Sequence, residues 1–177
     1  MRLIPKPRPG EFPASASRYL DRLPDDDRLL AHLEEGLRQA EGLARGLTEE
    51  QQLHRYAPGK WSIREVLLHV VDDERIYAYR ALRFARGDAT PLPGFDEKAY
   101  APLSGADTRS LGSILEEYRA VRAATLALFG HLPEEAFDRA GTADDRRATV
   151  RALAWHIAGH ERHHLAAIRE KYLGQPG

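Results

Sequence analysis

Between Asp25 and Leu173 apolar residues recur at intervals of three and four in four long stretches, and no stretch of convincing length alternates apolar with polar. That spacing puts one apolar stripe along each of four helices and predicts no sheet. Helices carrying one stripe each bury it against one another, so the predicted fold is all-α, a four-helix bundle with up-and-down or crossover connections. At 177 residues the chain is long enough to build a real core as one domain, 1–177.

The segments divide clearly. Residues 1–24 carry Pro5, Pro7, Pro9 and Pro13 and are expected to form an irregular arm. The first long helix is expected after Pro24, with Asp25, Asp26 and Asp27 placing negative charge at its N-terminus, followed by Leu29, Leu30, Leu33, Leu37 and Leu43. Ala57-Pro58-Gly59 marks a turn. The second helix has the sharpest start: Ser62-Ile63-Arg64-Glu65 fits a capping box. Ile63, Val66, Leu67, Val70, Tyr77 and Ala81 mark its stripe, and it is expected to end near Gly87. Val71, Ala78 and Leu82 widen the apolar sector on one flank, the pattern of a surface that pairs with a second copy in a homodimer. Residues 88–108 are rich in Pro, Gly and Asp and too long for a plain turn. The third helix is expected from about Thr108 to Phe129, the fourth from about Thr149 to Leu173, with 130–145 as a link.

Composition narrows the function. The 26 basic and 27 acidic residues leave a net charge of -1 and are interleaved, which gives no basic stripe for nucleic acid. No apolar run approaches the ~20 residues that a membrane-spanning helix needs. The opening MRLIPKPRPGEF is basic without an apolar core, so no signal peptide and a cytoplasmic location are expected. Cysteine is absent, so any metal must rest on nitrogen and oxygen, and any thiol must arrive with a substrate.

Four of the eight histidines fall in the segment WHIAGHERHHLAAIREKY. At about 100° per residue, with His156 at zero, His160 lies near about 40° and His164 near about 80°, among Leu153, Ile157 and Ile168. His156 and His163 fall at the edge of that stripe. Histidines at i and i+4 have Cβ atoms only ~5–6 Å apart and can reach one ion, and imidazole suits zinc, nickel and related metals. A third ligand must come from another helix. His69 lies in the apolar run VLLHVVDDE but at the margin of its stripe, whereas Glu74 lies nearer the centre; periodicity does not choose between them. Trp61, Trp155 and the Asp25–Asp27 run are expected to serve packing and capping.

The segment PGKWSIREVLLHVVDDE, followed by GHERHHLAAI, resembles the DinB/YfiT-like superfamily of metal-binding four-helix bundles, in order and spacing over nearly the whole chain. FDEKAY at Phe95–Tyr100 is similar to an acidic-aromatic segment of the YfiT-like branch. The resemblance implies one divalent metal, zinc or nickel foremost, on His69, His160 and His164. It implies that Asp72 orients an imidazole, as carboxylates behind metal ligands do, and that Glu74 and His163 stand beside the metal as pocket or proton-transfer groups.

Three neutral ligands with an open position form the catalytic rather than the closed structural arrangement. The resemblance to the YfiT-like branch implies metal-dependent transfer of a low-molecular-weight thiol, such as bacillithiol, onto electrophiles, and the absence of cysteine is consistent with it; Asp96, Glu97 and Tyr100 of the long loop would then contact the thiol. One alternative is a hydrolase whose metal-bound water attacks an amide or ester, with Glu74, Asp72 or His163 as base. Another is a non-catalytic metal-binding stress protein, in which His156 closes the site as a fourth ligand.

Overall fold

Among the residues described, 2–175 of a computed structural model, the chain forms seven α-helices and one two-stranded hairpin. In chain order these are α1 (Ser17–Leu20), α2 (Leu29–Ala44), α3 (Glu49–Leu53), α4 (Ile63–Ala85), α5 (Glu97–Leu103) and α6 (Leu111–His131). The hairpin β1 (Ala140–Ala143) and β2 (Arg146–Thr149) follows, then α7 (Val150–Ala167), continued by a π-turn over Ile168–Tyr172. The long helices α2, α4, α6 and α7 make the expected bundle. No helix among the described residues is long and apolar enough to cross a membrane.

Two core clusters show how the four helices run. At one end Leu29 and Leu33 of α2, Phe84 of α4, Phe129 of α6 and Leu153 of α7 pack together. At the other, Ala40 and Ala44 of α2 meet Ile63 and Leu67 of α4, Ile114 of α6 and Leu165 of α7. So α2 and α7 run one way, and α4 and α6 the other. Around the bundle α4 touches α7 and α6, and α2 touches the same two. The parallel neighbours α4 and α6 explain the long loop: after α4, 23 residues and about 34 Å long, the chain must travel back along the bundle before α6 can start.

That return path carries α5, and Leu92 ties it to the hairpin by Leu92 N–H donating to Thr142 O at 2.9 Å and Asp144 N–H donating to Leu92 O at 3.1 Å. The hairpin itself was not predicted. Asp144 and Asp145 both take left-handed backbone, φ 53 and 56, the two-residue turn whose twist matches paired strands. Glycine or asparagine usually announces that turn; a pair of aspartates does not.

The capping box forms as predicted: Glu65 N–H donates to the Ser62 hydroxyl, and Ser62 N–H donates to the Glu65 carboxylate. The Asp25–Asp27 run, by contrast, does not cap α2, whose first turn holds no acid. Ile4 of the arm pairs with this segment, its N–H donating to Asp27 O at 2.8 Å, and holds it out of the helix. The arm is irregular but anchored: Ile4 is buried, and Trp155 Nε1 donates to its carbonyl at 3.2 Å. Val71, expected on a broad outer flank, is wholly buried in the bundle.

The arm also contains the one-turn helix α1, which sits directly on α7. Gly159 makes this contact: a Cβ there would lie 2.5 Å from the carbonyl oxygen of Tyr19. The approach lays the Tyr19 ring edge-on against His156, His160 and His163, with centroids 5.0, 5.2 and 5.4 Å apart.

Candidate metal centre

Antiparallel α4 and α7 bring together two faces. On α4, His69, Asp73, Tyr77 and Arg80 recur at steps of four, four and three and so share one face. On α7, His156, His160, His163 and His164 follow at steps of four, three and one and fall within about 100° of one another around the helix. Where they meet, His160 Nε2 lies 3.1 Å from His69 Nε2 and 3.1 Å from His164 Nε2. One nitrogen from each of the three imidazoles lies within 4.8 Å of those of the other two.

This arrangement fits a divalent ion. Metal–imidazole bonds of about 2.0–2.1 Å put neighbouring ligand nitrogens about 2.9–3.4 Å apart for octahedral to tetrahedral angles, which brackets the two 3.1 Å spacings from His160. Burial pushes the His69 imidazole below its ordinary pKa, and pushes those of His160 and His164 well below it. All three are therefore neutral near pH 7 and offer lone pairs rather than charge.

Behind His160 stands a buried acid, Asp73. Its Oδ2 lies 3.3 Å from His160 Nδ1 and 3.4 Å from His156 Nε2, and neither Oδ2 nor His156 Nε2 has an aligned hydrogen-bond partner among the described residues. A carboxylate at Nδ1 favours the tautomer whose lone pair is on Nε2, the nitrogen that faces the other two rings. His156 stacks on Tyr77 at 3.8 Å, with the rings 3° from parallel. Its Nε2 faces Asp73 rather than the cluster, so His156 is not placed as a fourth ligand.

The three imidazoles lie in the wall of a cavity of about 290 Å³. Trp61 lines it beside His69, with ring centroids 4.9 Å apart. Arg18, Glu97, Asp144 and Arg146, all exposed, line its outer part and connect it to solvent.

The residues expected from sequence divide here. His163 lines the cavity, half-buried, its pKa lowered by burial. Glu97 lines it too, but Asp96 instead caps α5 by accepting from Lys98 N–H and Ala99 N–H, and Tyr100 turns outward onto Phe95. Asp72 contacts Arg75 at 3.5 Å, away from the cavity. Glu74 points to the bundle axis, where Arg122 donates to it at 2.9 and 2.8 Å; Glu161 of α7 lies 3.0 Å from the same guanidinium. Sequence reading missed Asp73, Tyr19, Tyr77 and Arg80. Continuing the four-residue step from His69 would have found Asp73 and Tyr77.

Trp61, expected to serve packing alone, is a cavity wall, whereas Trp155 is core.

Comparison with known proteins agrees with this geometry. A Bacillus licheniformis protein, named provisionally as a metal-dependent hydrolase, is 31% identical over 153 residues, 81% of this chain and 85% of its own. YfiT of Bacillus subtilis, similarly named, is 25% identical over 148 residues, 81% of this chain and 82% of its own. The solved structure of B. subtilis YfiT, described as having an unusual four-helix bundle topology, superposes with a TM-score of 0.77 at 22% identity, covering 96% of this chain and 95% of that one. Residues 32–168 match the sequence profile of the DinB superfamily, and the chain belongs to that superfamily.

Proposed function

We propose that this protein is a metal-dependent enzyme that joins a small thiol, of the bacillithiol kind, to an electrophile, with His69, His160 and His164 holding one divalent ion, zinc or nickel. The observation that carries this reading is the convergence of three neutral imidazoles in the wall of a solvent-connected cavity large enough for a small molecule. When bound, the ion supplies Lewis acidity, bringing the pKa of a thiol or water at its open position towards neutrality.

The protein's own residues do the rest. Asp73, its Oδ2 3.3 Å from His160 Nδ1, favours the tautomer that leaves the His160 Nε2 lone pair free. His163 Nδ1 is sealed in the protein with no hydrogen-bond partner among the described residues, so Nε2 is the nitrogen open to exchange a proton with the cavity. The thiol gives its proton to His163 Nε2; its sulfur then forms a bond to the electrophilic carbon, and the displaced halide or opened ring oxygen leaves with the electron pair. With no cysteine in the chain, the only sulfur nucleophile is the one the substrate brings. Tyr19 and Trp61 cover the rings and limit water.

Hydrolysis is the second reading, favoured by the names of the relatives. The bases expected from sequence are reduced to His163 there, because Asp72 and Glu74 are engaged elsewhere. The test uses protein made without a histidine tag. It combines metal analysis with conjugation assays over thiols and alkylating electrophiles, and cleavage assays over esters and amides without thiol. Thiol conjugation lost in His160→Ala supports transfer. Ester or amide cleavage without conjugation selects the hydrolase, and inactivity on both panels rejects an enzyme of either kind.

A further inference from the structure

We infer that Arg80 forms an anion-binding subsite in this cavity, which takes a carboxylate or phosphate group of the substrate while the reacting end lies at the three imidazoles. The inference rests on the proposed function only in assigning the anion to a substrate. Three arginines of the bundle are deeply buried: Arg64 and Arg80 at 6% exposure and Arg122 at 0%. Arg122 meets Glu74 and Glu161 at 2.8 and 3.0 Å, and Arg64 meets Glu49 at 3.3 Å. Arg80 forms no ion pair among the described residues. Its one hydrogen bond is from a terminal nitrogen to Pro93 O at 3.1 Å.

A guanidinium withdrawn from water with no carboxylate in ion-pair contact is costly, and Arg80 lines the cavity together with Asp73, Glu97 and Asp144, none of which reaches it. The surrounding rings recover part of that cost and fix the plane of the group. Its carbon lies 5.1 Å from the Tyr77 ring centroid and 5.7 Å from that of Phe95. Five donors in a rigid fork, one used on a carbonyl, leave an edge suited to two oxygens of a planar or tetrahedral anion.

Position supports the assignment. Arg80 is eleven residues after His69 on the same face of α4, about 16 Å along the axis. The rings of His156 and Tyr77 fill the interval, stacked at 5.5 Å on His160 and at 3.8 Å on each other. An anion on Arg80 is thus held apart from the imidazoles, along a wall of aromatic faces. The other cavity cations differ. Arg146 is exposed and lies 3.5 Å from Asp144, and Arg18 is exposed and donates to the Tyr19 hydroxyl.

The test is calorimetric titration of metal-free protein with succinate, inorganic phosphate and neutral succinamide. No thiol, metal or turnover enters, so failure of thiol transfer leaves the result interpretable. Succinate or phosphate is expected to bind saturably and succinamide at least tenfold more weakly. Arg80→Met is expected to weaken the anion at least tenfold while its metal content and denaturation midpoint stay those of the wild type. If Arg80→Met fails to fold, Arg80→Lys carries the test, keeping the charge but losing the fork, with an expected two- to tenfold loss. Absence of saturable anion binding, equal binding of succinamide, or wild-type affinity in both variants would overturn the inference. Binding seen only after metal is restored would overturn it too, because the anion would then sit on the ion.

Discussion

Replacing Asp73 with asparagine separates a ligand-orienting role from a structural one. The substitution keeps shape and removes charge at a residue 4% exposed, whose Oδ2 lies 3.3 Å from His160 Nδ1. The two groups meet as an unaligned charge contact rather than a full hydrogen bond, so the change costs about 1 kcal/mol of support for the metal-bound imidazole, below the ~1.5–3 kcal/mol of a full hydrogen bond to a charged group. That is about 5-fold in metal affinity, just under the ~10- to 100-fold typical of residues behind metal ligands. The metal-free fold should respond differently. Asp73 has no arginine or lysine partner among the described residues, so neutralising it relieves a buried carboxylate, and urea stability should hold or rise slightly. The assay is competition for zinc against a chromophoric chelator, alongside urea unfolding of the metal-free variant. Unchanged zinc affinity together with a loss of about 1 kcal/mol or more in stability would refute the reasoning and make Asp73 a structural residue.

Three further outcomes follow from the same contacts. The imidazoles of His69, His160 and His164 have pKa values lowered by burial, so below an unfolded value of about 6.5 the unfolded chain binds protons that the fold refuses. The urea midpoint of metal-free protein should therefore be level above about pH 7.5 and fall as pH drops through about 6.5 towards the folded values; a midpoint unchanged between those limits contradicts this. Gly159→Ala would place a Cβ 2.5 Å from the Tyr19 carbonyl, costing about 1–3 kcal/mol as α1 is pushed outward; a denaturation midpoint equal to wild type rejects the close contact. Arg122→Met strands Glu74 and Glu161, and should cost about 3–5 kcal/mol. Because burial already pushes the Glu161 carboxyl up to about 7, the loss should be larger at pH 8 than at pH 5, and a pH-independent loss would count against the paired geometry.

The bundle was legible because its signals are local. The capping box at Ser62 and the spacing of Ile63, Val66, Leu67 and Val70 act within one helix. So was the HxxxH pair, since His160 and His164 lie one turn apart. The missed features depend on contacts far apart in sequence. Ile4 holds Asp27 out of α2, against the charge logic that would have placed it in the first turn. Tyr19 reaches the imidazoles only because Gly159, far away in the chain, has no side chain. The loop 88–108 is long because α4 and α6 run parallel, a relation that no periodicity encodes.

The ambiguity between His69 and Glu74 has a geometric origin that adjacent pairs on both helices share. Neighbouring residues in a helix point about 100° apart. On α4, Asp73 faces the groove towards α7 and Glu74 the bundle axis; on α7, His160 faces the groove and Glu161 the axis. On α4 the centre of the apolar stripe therefore marks the axis, where a charged residue survives only inside a closed network such as Glu74–Arg122–Glu161, which has no donor left for a ligand. The margin of the stripe marks the groove between two helices, dry enough to keep imidazoles neutral and open enough to admit a small molecule. His69 lies at that margin, and so does Arg80, whose lack of an ion pair among the described residues is the feature of the groove that the bundle itself does not satisfy.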